Sequence, residues 1–428
     1  MQVKFLLAIL KPEMIALPKP FLEFLIILIN LYFFLISKTF SKDLSVLKSS
    51  TKHNSKSISI LEIFSDIFSI FSSSSLIGMI IDKDMKILIT GGCGFIGSNL
   101  AIFLKNNIKN SIIHSLDNLT RNSSKINLKR LKKEKIKNFN IDISSKKKID
   151  QLTRYDIIID CCAEAAVEAS KLDSKRVFYT NLVGTFNILE KCKKDNSKII
   201  FLSTSRVYSL NKIIFKAKYI NQIKYKFKIN ENFSKKSPIS FYGFTKLSSE
   251  KLIEEYSFSN DIKYIINRFG VVSGPWQFGK QDQGFVSLWL WRFINKDKLN
   301  YIGFKGLGNQ IRDVIHVLDL CELIHEQIKK IKKINNKIFN VGGGLKNSIS
   351  LKELSNKCKE ITKNNIKIGK ISKTSNYDVP YYVTDNKKIY SFYKWRIKRD
   401  IETILKDTFY ILTKYRNLFK KYDNDQFN

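Results

Sequence analysis

From residue 85 onward, short apolar runs alternate with longer amphipathic stretches. Runs rich in Ile, Val and Leu fall at "KILIT" (86–90), "SIIHSL" (111–116), "DIIID" (156–160), "KIIFL" (198–202), "KYIIN" (263–267) and "IFNV" (338–341). Apolar runs of this length predict strands buried on both faces. Stretches with helical spacing lie between most of them, for example 97–107, 174–194 and 242–257. Strands alternating with helices predict βαβ units and an α/β fold built on a doubly wound parallel sheet. The region 210–240 breaks the rhythm. It is basic, aromatic and polar, and reads as a long excursion before the helix at 242.

Residues 1–84 follow a different pattern. "FLEFLIILINLYFFLIS" (21–37) is nearly all apolar and about the minimum length for a membrane-spanning helix, although Glu23 and Asn30 interrupt it. A Ser- and Lys-rich stretch (38–58) and a second apolar-serine segment (59–81) follow. No small-residue cleavage site follows a short apolar core, which argues against a secretory signal. Three readings stand: a membrane anchor through 21–37, a disordered leader, or an extension absent from the working protein. Met85 sits directly before the first predicted strand, which favours the last.

Composition adds one unusual number. The chain of 428 residues is 44% hydrophobic, ordinary for a folded protein, but its net charge is +36. Lysine is spread along the whole chain, and runs such as "KRLKKEKIK" (129–137) suit solvated helix faces. No zinc-finger spacing or RNA-recognition signature accompanies them, so no nucleic-acid partner is expected. Some of the charge suits an anionic substrate. The six cysteines form no CxxC pair and suit buried, reduced thiols of a cytoplasmic protein. The four histidines have no metal-site spacing, so no metal is expected.

Candidate chemistry begins at "MKILITGGCGFIGSNL" (85–100). Gly91, Gly94 and Gly97 lie between a predicted strand and an amphipathic helix. Such glycines allow a tight turn, close approach of the backbone to a pyrophosphate, and close packing of helix on sheet. The helix N-terminus then offers free N–H groups to the phosphates. No Lys-Ser/Thr ends the loop, which argues against a P-loop. The pattern predicts a Rossmann domain that holds a dinucleotide. Asp117 closes the second strand, where a carboxylate accepts hydrogen bonds from ribose hydroxyls and favours NAD over NADP. Arg121 lies close enough to tolerate a 2′-phosphate. Asp142 is placed either to meet the adenine or to serve as a plain turn residue. Phe95, Ile96, Asn118 and Ile143 complete the expected NAD-contacting set around these positions.

A second constellation follows some 150 residues later. "SFYGFTKLSSEKLIEEY" (240–256) reads as a helix with Tyr242 and Lys246 on one face. A tyrosine titrates near pKa ~10, and a nearby ammonium together with a cationic nicotinamide brings its phenolate within reach of neutral pH. Lys246 is also placed to bond the nicotinamide ribose. "KIIFLSTSRVY" (198–208) ends a strand with Ser203, Thr204 and Ser205, and strand ends in open α/β sheets face the ligand crevice.

Together these residues resemble the extended short-chain dehydrogenase/reductase family of sugar-nucleotide epimerases and dehydratases. The resemblance covers residues 86 to about 415 and includes "TGGCGFIGSNLA" (90–101), "NLVGTFNILE" (181–190), "STSRVY" (203–208), "YGFTK" (242–246) and "GLGNQIRDVIHVLDL" (306–320). It implies Thr204, Tyr242 and Lys246 as the catalytic triad, with Asn181 supporting the nicotinamide end. It implies an NAD-binding domain over 85–272. A smaller, mainly substrate-binding region would span 273–428, with 311–344 returning to the Rossmann core. Within the family, "DCCAEAAVEAS" (160–170), "NRFGVVSGPWQFGKQDQGFVSLW" (267–289) and "NVGGGLKNSISLKEL" (340–354) are most similar to the group that inverts C2 of a CDP-linked 3,6-dideoxyhexose. On that likeness Gln277, Gln281, Asp282 and Gln283 meet the sugar, as does Thr204, and Arg312 meets the nucleotide phosphates, which a guanidinium fits bidentately.

Some positions depart from the family pattern. Dehydratases carry an Asp-Glu pair after the catalytic threonine, where this chain has Ser205 and Arg206. Asp160 stands where many members have His, Ser209 where they have Gly, and Pro380 where relatives often place a phosphate-binding Arg. The expected activity is epimerisation by transient oxidation of a secondary alcohol and return of the hydride. Residue types alone leave open a C4 epimerase or reductase of another nucleotide sugar. A rival of a different class is a catalytically silent NAD-binding protein acting on RNA, which would be expected to lose the Tyr–Lys pair. The family often forms dimers through paired helices, which implies a homodimer or higher homo-oligomer here.

Overall fold

Strand β1 (Met85–Thr90) shows why the chain folds as it does. Ile87 and Ile89 enter one apolar core and Leu88 the opposite one, and all are fully buried. Successive side chains of a strand point to opposite faces, so an unbroken apolar run demands cover on both. In the computed structural model, which describes residues 84–165, 173–223, 227–280 and 283–424, six further strands join β1 in one sheet. In chain order the strands are β1, β2 (Ser111–Leu116), β3 (Lys137–Phe139), β4 (Ile157–Asp160), β5 (Lys198–Thr204), β6 (Tyr264–Phe269), β7 (Val271–Ser273), β8 (Leu299–Ile302), β9 (Ile311–His316), β10 (Lys337–Val341), β11 (Ser348–Ser350), β12 (Ile368–Ile371) and β13 (Tyr381–Tyr382). The large sheet runs β10-β6-β5-β4-β1-β2-β3, and every pairing in it is parallel. The expected doubly wound α/β sheet is therefore present.

Between β1 and β4 the strand order reverses. Thr90 at the end of β1 pairs in register with Asp160 at the end of β4, and its hydroxyl donates to the Asp160 carboxylate at 2.6 Å. In such sheets the crevice outside the carboxyl ends, at the reversal, is where ligands bind. Helix α1 (Phe95–Asn107) covers one face with Leu100 and Leu104; α2 (Asn122–Lys133) follows β2. Helix α3 (Gly184–Asp195) covers the other with Ile188 and Leu189.

The predicted single helix over 174–194 is interrupted. Ser174–Phe178 is α-helical, Tyr179–Val183 forms a π-helical turn, and α3 begins at Gly184. A side chain at Gly184 would come within 2.6 Å of Ile143, so the chain passes close there only as glycine. The excursion over 210–240 also contains order that the sequence reading missed. Helix α4 (Leu210–Ile223) places Leu210, Ile213 and Ala217 in buried positions at helical spacing, a signal masked by the neighbouring lysines and aromatics.

The later part of the chain builds smaller layers. Strand β9 pairs with β7, β11 and β13, and β12 pairs with β8. Helices α6 (Phe285–Asn295), α8 (Leu351–Thr362) and α9 (Ile401–Lys414) share a core around Leu290, Leu354, Ile404 and Leu405. Within 311–344, β9 belongs to the smaller sheet, whereas α7 (Val317–Lys330) and β10 join the large one and its core. Asp82–Asn428 forms one compact unit. The apolar segment 21–37 lies outside the described residues. Among the described residues, no helix is long and apolar enough to cross a membrane.

Helix α5 (Phe241–Asn260) is tied to β5 and β6 by a buried ion pair. Arg268 is 3% and Glu250 0% exposed. The guanidinium donates from Nε to both Glu250 oxygens at 3.0 and 3.1 Å and from Nη2 at 2.6 Å. The Ser203 hydroxyl donates to the same carboxylate at 2.5 Å. Removing one partner of such a pair strands the other without water. Arg268→Ala is expected to lower unfolding free energy by about 3–5 kcal/mol in urea titration, and Arg268→Met combined with Glu250→Leu to recover most of the loss.

Candidate active site

The glycine loop leaves β1 with Gly91 at φ +59°, a left-handed conformation that favours glycine. The amide of Gly94 donates to the Gly91 carbonyl at 2.9 Å and closes the turn. A Cβ on Gly97 would sit 2.3 Å from that carbonyl oxygen, so α1 can rest on the loop only through glycine. No side chain caps the start of α1, which leaves its first turn open to an anion. Gly91, Gly94, Phe95, Ile96 and Gly97 all line one cavity of 560 Å³.

Asp117, Asn118, Asp142 and Ile143 line the same cavity. Asp117 accepts from the amides of Cys93 at 3.1 Å and Leu119 at 2.9 Å. Burial nevertheless pushes its pKa above the ordinary aspartate value. Asp142 accepts from both the amide and the hydroxyl of Ser144, at 2.9 and 2.6 Å, and from Asn118 at 2.7 Å. Burial works against its charge, but these bonds outweigh it and hold the pKa below the ordinary value. Asn118 is thus engaged with Asp142, and both side chains are fixed in place.

At the other end, β5 delivers Thr204 and the first turn of α5 delivers Tyr242. Ser240 caps the helix by accepting from the Gly243 amide at 3.0 Å. A Cβ on Gly243 would lie 2.2 Å from the Arg206 carbonyl oxygen, so the helix start and the residues after β5 meet backbone to backbone. Thr204 accepts from the Arg206 amide at 3.2 Å, which leaves its own O–H free to donate. Burial pushes the Tyr242 phenol above its ordinary pKa; the Thr204 hydroxyl and the charges of Arg206 and Arg121 pull it back.

Lys246 and Asn181 lie just behind the cavity wall. Lys246 is 1% exposed, its Nζ sits 3.8 Å from the centre of the Phe201 ring, and it has no hydrogen-bond partner. Burial pushes its pKa down, partly offset by Asp160. Asn181, in the π-helical turn, accepts from the Glu164 amide at 2.8 Å and donates to Thr245 on α5 at 3.1 Å. It joins the loop after β4 to the helix that carries Tyr242 and Lys246.

The residues expected to meet substrate divide. Gln277, Gln283 and Arg312 line the cavity, while Gln281 and Asp282 lie outside the described residues. The Gln277 amide is already used: its oxygen accepts from Ser273 at 2.7 Å and its nitrogen donates to the Val272 carbonyl at 3.0 Å. Gln283 accepts from Arg121 at 3.0 Å. Arg121 and Arg176 both pair with Glu164, a buried carboxylate in the same wall. The sequence reading weighed Arg121 only for cofactor choice and passed over Glu164, Arg176 and Tyr382, since no spacing links them. Leu210 and Ile213 could have been found from their helical spacing.

One cavity thus joins the glycine loop and the Asp117 carboxylate to Thr204 and Tyr242, with the Lys246 ammonium unpartnered among the described residues. The chain belongs to the NAD dependent epimerase/dehydratase family, whose model matches residues 87–342. It is similar to the CDP-paratose 2-epimerase of Salmonella typhi, with 29% identity over 73% of this chain and 95% of that protein. It is also similar to the dTDP-D-glucose 4,6-dehydratase of Dictyostelium discoideum, with 31% identity over 60% of this chain and 58% of that one. Among solved structures, UDP-glucose 4-epimerase of Thermotoga maritima with UDP-glucose superposes with a TM-score of 0.65 at 26% identity, covering 78% of this chain and all of that one. The protein is an NAD-dependent enzyme of sugar-nucleotide epimerase/dehydratase type.

The residues present fit NAD. The uncapped start of α1 lines the cavity together with Gly91, Gly94 and Gly97, which suits a pyrophosphate, and the buried Lys246 ammonium, without a hydrogen-bond partner among the described residues, suits an acceptor such as a ribose hydroxyl. Without a ligand that ammonium weakens the fold. Its penalty is full below its lowered pKa and fades as the pH rises towards the ordinary lysine value of about 10.4. Lys246→Met is therefore expected to raise the melting temperature of ligand-free protein at pH 7 while weakening NAD binding in calorimetric titration.

Proposed function

We propose that this enzyme inverts one carbon of a nucleotide sugar by transient oxidation, with CDP-paratose as substrate, CDP-tyvelose as product and C2 as the inverted carbon. The observation that carries this reading is Arg206. Water elimination needs an added acid–base pair beside the oxidised carbon, and the residues after Thr204 are Ser205 and Arg206. The carboxylates that line the cavity, Asp117, Asp142 and Glu164, are held by amides, hydroxyls or arginines. The likeness to a CDP-paratose 2-epimerase over 95% of its length supports the choice of sugar. Leu210, Ile213 and Val379, on the cavity wall shared with Arg312, suit a sugar that lacks hydroxyls.

In this mechanism Tyr242 takes the proton from the sugar hydroxyl, and the free O–H of Thr204 holds the oxygen. Bound NAD would supply a reversible hydride acceptor, so that the oxidised carbon could be reduced again from its other face. Lys246 holds the nicotinamide ribose and adds positive charge beneath the phenolate. Asn181 keeps α5 in register with the loop after β4. Gly91, Gly94, Phe95, Ile96 and Gly97 cradle the pyrophosphate, Asp117 and Asn118 face the adenosine ribose, and Asp142 and Ile143 the adenine. Gln283 and Arg312 face the substrate, whereas Gln277 shapes the wall.

Tyr242→Phe is expected to lower kcat by about 10²–10⁴-fold. With a panel of CDP- and UDP-sugars followed by NMR in deuterated water, the expected result is C2 inversion of CDP-paratose with no deuterium at that carbon. Inversion of a UDP-sugar at C4 would replace the sugar assignment, and steady NADH consumption would exclude epimerisation.

The proposed assembly is a homodimer. Phe178, Tyr179, Phe186, Phe244 and Phe258 are 38–90% exposed on the neighbouring segments 174–195 and α5. The protein is expected to sediment as a dimer, and Phe244→Lys with Phe258→Lys to shift it to monomer.

A further inference from the structure

The wall of the cavity opposite the glycine loop carries two guanidinium groups bound to one short stretch of chain. Arg206 comes from the turn after β5 and donates from Nη1 to the Tyr377 carbonyl at 2.8 Å. Arg312 comes from β9 and donates from Nη2 to the Val379 carbonyl at 2.6 Å and to the Asp378 carboxylate at 2.7 Å. Carbonyls two residues apart are separated by at most about 7 Å, so the two anchors are close neighbours. Both arginines and Val379 line the cavity.

Charge on this wall is out of balance. Arg312 has Asp378, but among the described residues Arg206 has no ion-pair partner. Pro380, next in the chain, brings no charge of its own. Tyr382 lines the same cavity, and its buried hydroxyl has no hydrogen-bond partner among the described residues. Two guanidinium forks anchored on one short loop suit an extended anion with several acceptor oxygens. A diphosphate, which links the nucleoside to the sugar, has that charge and length.

We propose that Arg206 is a specificity-determining residue that grips the substrate diphosphate together with Arg312. The residue that follows Thr204 by two positions thus recognises phosphate, where an acid there would drive elimination. One side chain decides both what is bound and which reaction follows. This rests on the nucleotide-sugar reading above.

The test titrates the NAD-loaded full chain calorimetrically with CDP and UDP, and with cytidine and uridine. Arg206→Gln is expected to weaken both diphosphates by roughly 10–100-fold and to leave the nucleosides unchanged. With a turned-over nucleotide sugar the same variant is expected to raise KM by a similar factor and to change kcat little. Arg206→Met, which keeps the apolar stem, should behave alike and decides the matter if the glutamine variant fails to fold. Wild-type affinity for CDP and UDP in either variant overturns the proposal, above all if the pH profile of kcat moves instead, since Arg206 would then serve only to tune Tyr242. If the unaltered chain binds neither diphosphate, the nucleotide-sugar reading falls and this proposal with it.

Discussion

A guanidinium and a carboxylate with almost no access to water hold the working parts of this enzyme together. Arg268 belongs to β6, Glu250 to α5, and Ser203, which completes the carboxylate's hydrogen bonds, to β5. Buried charges are tolerated only when their partners are complete, so this set accepts one relative placement of helix and strands. Ser203 precedes Thr204, and Glu250 lies one helical turn from Lys246. Fixing the ion pair therefore fixes the candidate catalytic groups. Gly243 finishes the job at the helix start, where any side chain would collide with the Arg206 carbonyl.

The two ends of the cavity are prepared in opposite ways. Beside the glycine loop, Asp117 and Asp142 are already held by backbone amides and by Asn118, so their geometry is set before any ligand arrives. Around Thr204 and Tyr242, the buried Lys246 and Tyr382 have no hydrogen-bond partner and Arg206 no ion-pair partner among the described residues. Unmet polar groups cost stability in the free protein, a cost that a bound molecule offering acceptors would offset. A retained cofactor and an anionic substrate suit that division: a rigid seat at one end, a charged and unsatisfied pocket at the other.

Much of the fold was legible because burial leaves a local record. The runs at 86–90, 111–116 and 198–202 are apolar because both sheet faces are covered, and the structure places strands over each. The glycine triplet was legible for a similar reason: Gly94 and Gly97 pack on Gly91 and Gly92 of the same loop, although Gly91 itself also meets the backbone of Cys161 and Cys162 after β4. Helix α4 and the π-helical turn at Tyr179–Val183 were not. The first hides its apolar positions among lysines and aromatics, and the second ends where Gly184 packs closely on Ile143, 41 residues away, a contact that no local pattern marks.

What the sequence by itself determined, then, is the order of strands and helices, the glycine loop, and which residue types stand at Thr204, Tyr242 and Lys246. These depend on spacing within a few turns of chain. Only the tertiary structure decided that Gln277 is consumed by Ser273 and Val272, that Arg121 bridges Glu164 and Gln283, and that Arg206 and Arg312 share one loop. Those pairings join residues 43 to 171 positions apart or settle which hydrogen bonds remain free. Such facts follow from how the sheets stack in space, and no periodicity along the chain encodes them.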